Sequence, residues 1–110
     1  MTITGQIARD SALALVERNA SVQWKRDALE GVGEVALRER MVTSDLVWTW
    51  LEMNCPSSHT HEHRALGAIL QRAYKLGIIE PTDTWALSTK PQQHARPLRV
   101  WRSLLFKESP

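Results

Sequence analysis

The stretch that decides the fold runs from His63 to Ile79 and reads HRALGAILQRAYKLGII. Leu66, Ile69, Leu70, Ala73 and Leu76 recur at three- and four-residue intervals, which predicts one apolar helix face. The opposite side carries Arg64, Ala68, Gln71, Arg72 and Lys75: three cations, one amide, one small residue and no acid. Gly77 suits the left-handed residue that ends a helix, and Ile78 follows where an apolar cap contact is expected. A packed stripe backed by a basic, amide-bearing face is what a major-groove reader needs. Many solvated surface helices share that description, so the flanking chain has to decide.

Downstream, residues 78–80 are expected to be extended, and Pro81-Thr82-Asp83 is expected to turn the chain. Residues 84–89 (TWALST) alternate as a strand, with Trp85 and Leu87 on one face. Residues 90–97 (KPQQHARP) form a basic loop with two prolines. Residues 98–104 alternate again, with Leu98, Val100 and Arg102 on one side and Arg99, Trp101 and Ser103 on the other. Residues 106–110 are expected to fray. Trp85 and Trp101 read as hairpin core in preference to base-stacking platforms.

Upstream, Thr43 or Ser44 is expected to cap a helix over about residues 44–53, with Asp45 in its first turn where negative charge is favourable. Val47 and Leu51 face its core. Trp48 and Trp50 point about 160° apart on a helix wheel, so one is expected inside and the other against the N-terminal helices or partly exposed. The two-residue segment Met41-Val42 is too short for an independent strand and is expected to pair with the later hairpin. Before it, residues 22–39 predict a helix with Trp24, Ala28, Leu29, Val32, Val35 and Ala36 inward. Gly31 and Gly33 each cost roughly 1 kcal/mol relative to alanine there, so a bend or break is expected. Residues 5–18 predict a further amphipathic helix.

At 110 residues the chain has room for one domain with a modest core. It has no apolar run of membrane-spanning length and no cationic, greasy start of a secretory signal. Its single cysteine, Cys55, excludes an intramolecular disulfide framework. A cytoplasmic protein without a membrane partner is expected. The formal net charge of +2 hides an asymmetry. Residues 1–62 hold six Lys/Arg against nine Asp/Glu, whereas residues 63–107 hold eight against two. A half built this way faces a polyanion, and nucleic acid is the expected one.

From residue 41 the expected order is short strand, helix, turn, helix, strand, basic loop, strand. The fold class is therefore mainly α with a small β-hairpin (α+β), in winged helix-turn-helix order with extra N-terminal helices. Residues 1–40 would pack on or extend the domain, residues 41–105 would form it, and 106–110 would be its tail. In this reading a recognition helix over about 62–76 offers Arg64, Gln71, Arg72 and Lys75 to double-stranded DNA. The wing offers Lys90, Gln92, Gln93, His94 and Arg96 to the backbone or the minor groove.

The run Arg64-Ala65-Leu66-Gly67-Ala68, with Arg72-Ala73, Gly77-Ile78-Ile79-Glu80, His94-Ala95-Arg96-Pro97 and Val100-Trp101-Arg102-Ser103, resembles a group of small, uncharacterised phage and prophage proteins. These read as winged-helix domains, and the likeness covers about residues 20–104. It implies the fold and a phage or prophage setting in a bacterial host more than a defined activity. Val47-Trp48 shares in it, which favours Trp48 as the structural tryptophan.

His59, His61 and His63 have the chemistry to chelate a metal, but neither a cysteine pair nor a His-Glu-x-x-His helix accompanies them. No metal or other cofactor is expected. Cys55 reads as a small residue at a helix end, and no clustered acids suggest a magnesium site, so no enzymatic role is assigned. The expected function is a DNA-binding transcriptional regulator or architectural factor. It would dimerise through the segments before residue 40. The alternative is a non-catalytic interaction module that docks on a host or phage protein.

Overall fold

A computed structural model describes residues 22–60, 65–91 and 95–107. Its first helix, α1, spans residues 22–38 and runs through both glycines without a break. The reason lies across the interface. A β-carbon on Gly31 would stand 2.8 Å from Cε3 of Trp50, so the glycine is the space into which that indole packs. Gly33 has nothing within 4 Å of the same hypothetical atom. The expected bend is therefore replaced by a close helix crossing. Gly33→Ala should raise stability by roughly 0.5–1 kcal/mol through helix propensity. Gly31→Val should lower it by about 2 kcal/mol through overpacking. Urea denaturation of the two variants checks the pair, and equal effects would contradict the crossing.

After α1 come strand β1 (Met41–Val42), helix α2 (Ser44–Asn54), helix α3 (Ala65–Lys75) and strands β2 (Ile79–Leu87) and β3 (Pro97–Ser103). Thr43 caps α2 with an extended backbone, its hydroxyl accepting from the Leu46 amide at 3.4 Å. Gly77, at φ +80°, ends α3: its amide donates to Tyr74 O, and the Ile78 amide donates to Ala73 O, both at 3.0 Å. That 6→1 and 5→2 pair is the Schellman arrangement which the Gly77-Ile78 pattern predicts.

The sheet is antiparallel in the order β1-β3-β2. Met41 pairs with Arg102 and Val42 with Trp101, so the two-residue segment is an edge strand of the hairpin sheet. The turn expected at Pro81-Thr82-Asp83 is absent. These residues lie inside β2, where the register against β3 shifts between Pro81 and Trp85. Proline is tolerated because β2 is the other edge. The Thr82 hydroxyl donates to Val100 O and accepts from the Thr84 amide, which supplies hydrogen bonding across the irregularity.

One buried cluster joins Trp24, Ala28, Val32, Val35 and Ala36 of α1 to Val47 and Leu51 of α2. The same cluster holds Leu66, Ile69, Leu70 and Ala73 of α3 with Val42, Ile79 and Trp101 of the sheet. Residues before position 41 thus share the core of the segment after it. Leu76, expected in the α3 stripe, is instead 58% exposed, because the helix ends at Lys75. Neither Trp48 nor Trp50 is fully inside. Both are half-buried against α1, Trp48 with its ring 5.7 Å from that of Trp24 and Trp50 over Gly31. Trp101 is core at 4% exposure, whereas Trp85, expected there too, is 57% exposed. Phe106 does not fray: its amide donates to Ser103 Oγ at 3.0 Å and its ring lies 5.4 Å from the Arg40 guanidinium carbon. The helix expected over residues 5–18 lies outside the described residues.

Candidate nucleic-acid interface

The outer face of α3 emerges as its pattern dictates. With Leu66, Ile69, Leu70 and Ala73 buried, Ala68, Gln71, Arg72 and Lys75 are left exposed. At 100° per residue Lys75 stands about 40° and Arg72 about 100° round the axis from Gln71, so the three share one side. The salt bridges among the described residues do not engage Arg72 or Lys75. Arg64 lies outside the described residues, as do Gln92, Gln93 and His94.

Gln71 also lines an open groove between α3 and β3. Its walls include Gly67 and Leu70 from the helix and Arg96, Leu98 and Arg99 from the hairpin. Gly67 keeps the helix side of the groove shallow, with nothing within 4 Å of where its β-carbon would stand. Two guanidinium groups from one element and an amide from another are thereby brought to one cleft. Arg96 belongs to the expected set; Arg99 does not.

Arg99 is placed by aromatic contact. Its guanidinium carbon lies 5.2 Å from the Trp85 ring centre and 5.9 Å from that of Trp101. Trp85 and Arg99 are direct cross-strand partners, so their side chains share a sheet face with Trp101. Cation–π contacts of this kind hold an exposed arginine with about 0.5–1 kcal/mol each. An arginine fixed between two indoles loses less freedom on meeting a phosphate or base edge. Sequence reading missed it because the pairing of Trp85 with Arg99 depends on the shifted register. The only hint in the sequence was the alternation that puts Arg99 on one strand face with Trp101.

Lys90 behaves differently. Its ammonium is 3.2 Å from a Glu52 carboxylate oxygen and its side chain is 15% exposed, so it pins the loop to α2. Asp45 does more than favour the start of α2. Its carboxylate accepts from Ser88 Oγ at 2.9 Å and from the Thr89 amide at 2.8 Å. Together Asp45 and Glu52 anchor the root of the basic loop from the neighbouring helix. Arg102 pairs with Glu80 at 3.0 Å, and it alternates with core Trp101, so it lies on the sheet face away from α3.

His59 is exposed, and His61 and His63 lie outside the described residues. Burial and the nearby Asp27 and Glu30 carboxylates push the Cys55 thiol up. That direction is opposite to the one that activates a nucleophile. Among the described residues no helix is long and apolar enough to cross a membrane. No family model, curated protein or solved structure matches the chain.

Proposed function

We propose that the chain is a DNA-binding protein of winged helix-turn-helix type, with α3 as its recognition helix and the β2–β3 hairpin as its wing. The observation that carries this reading is the convergence of Gln71, Arg96 and Arg99 on one groove beside exposed Arg72 and Lys75. An 11-residue helix that leaves an amide and two cations to solvent matches the width and donor pattern of a major groove. A hairpin anchored at Asp45 and Glu52 sets a second cationic element beside it. The element order with sheet order β1-β3-β2 agrees with the winged arrangement, and the setting proposed with it is a phage or prophage one. A regulator or architectural factor in such a setting is the role this reading favours, with two copies on a two-fold site.

Purified protein is expected to retard a mixed-sequence duplex at low salt. Absence of retardation together with stoichiometric recovery of a protein partner would favour docking on a host or phage protein. One observation speaks for that second reading. Leu46 and Met53, 38% and 77% exposed, flank Trp50 along an apolar groove between α1 and α2. Aromatic and methionine side chains of this kind anchor protein interfaces.

A further inference from the structure

We infer that Trp85 is a stacking platform for an unpaired nucleobase, so that the preferred ligand is a duplex carrying a single-stranded extension. The inference rests on the DNA-binding reading and names its substrate class more closely. On the sheet face turned to α3, Ile79 and Trp101 are buried, whereas Trp85 farther along the same face is 57% exposed. An indole is the largest apolar side chain a fold has to bury, and this one is left in water. Arg99 lies over the ring at 5.2 Å, and exposure of more than half leaves the remaining surface of the indole open.

The surroundings extend the platform. Leu87, two residues along the strand, is 68% exposed, and its cross-strand partner Pro97 is exposed as well. Arg99 belongs to both features: it lines the α3–β3 groove and covers the indole. A strand whose phosphates follow Arg96 and Arg99 therefore arrives at Trp85. Bases inside a duplex are paired and stacked on both faces and present no face to a flat ring. A base beyond the duplex end does. Cationic grooves that pass into aromatic platforms are the general solution for single strands. Here the platform is held by a β-strand backbone and a guanidinium, which fixes it before the ligand arrives.

The test is a titration of labelled DNA followed by fluorescence anisotropy, comparing a blunt duplex with the same duplex carrying a short single-stranded extension. The parent protein should bind the extended form about tenfold more tightly. Trp85→Ala should bind the two forms with equal affinity, and Trp85→Phe should keep most of the preference. The melting temperature of Trp85→Ala should fall by less than about 8 °C, since the ring is exposed and only its contact with Arg99 is lost. Equal affinity of the parent for the two forms, or an undiminished preference in Trp85→Ala, would overturn the assignment while leaving duplex binding by α3 intact. Failure of the parent to bind either form at low salt would remove the DNA-binding reading and this inference with it.

Discussion

Trp24→Ala should cost about 3–5 kcal/mol of folding free energy, which is the usual loss when a buried aromatic is cut back to a methyl group. Trp24 is 1% exposed, belongs to the cluster shared by all three described helices, and meets the ring of Trp48 at 5.7 Å. A domain of this size has a net stability near the lower end of about 5–15 kcal/mol, so the variant sits at the edge of unfolding. At about 4–8 °C per kcal/mol, its melting temperature should fall by roughly 15–30 °C. Thermal melts followed by far-UV circular dichroism read the shift. A change of under about 5 °C would show α1 to be an appendage and would undo the single-core description.

Removal of Arg72 and Lys75 together to alanine should weaken duplex binding about 50-fold at 0.1 M salt. Each phosphate contact contributes about 0.9 to the slope of log affinity against log salt, so the slope should flatten by roughly two units. Both side chains are exposed on the helix face that carries Gln71, and among the described residues no salt bridge holds either of them. The fold should survive, since the α3 residues that pack are Leu66, Ile69, Leu70 and Ala73. Arg102→Ala is the matched control: that arginine is paired with Glu80 on the far sheet face, and its loss should change affinity by less than about twofold. Equal losses from Arg102→Ala and from the double variant would mean that charge acts at large and not from one surface.

What was legible in the sequence follows the reach of each signal. The α3 stripe and its Gly77-Ile78 exit are local, and four of five stripe positions and both cap hydrogen bonds appear as the spacing dictates. Leu76 fails because a period says nothing about where packing stops. The inward residues of α1 were legible for the same local reason, but the tolerance of Gly31 was not. It depends on Trp50, which reaches it from another helix. Pro81-Thr82-Asp83 has turn composition, yet an edge position and a threonine hydroxyl keep it in a strand.

The candidate site shows the same division. Gln71, Arg72, Lys75 and Arg96 were identifiable from charge and position, and all are exposed. Lys90 was grouped with them because its loop is basic; its pairing with Glu52, 38 residues away, is a tertiary fact. Arg99 and Trp85 escaped for the converse reason. Strand alternation predicts faces, but only the shifted register opposes this arginine to this indole and carries both out beyond the core.

The central claim is that cations of α3 and of the hairpin engage one polyanion together. Its most direct test is a titration of the parent protein against duplex DNA at 50 and 200 mM salt. With Arg72, Lys75, Arg96 and Arg99 all on phosphates, the slope of log affinity against log salt should be about −3 to −4, a loss of roughly a hundredfold between the two conditions. Affinity that stays level across them, or no binding at the lower one, would contradict the account.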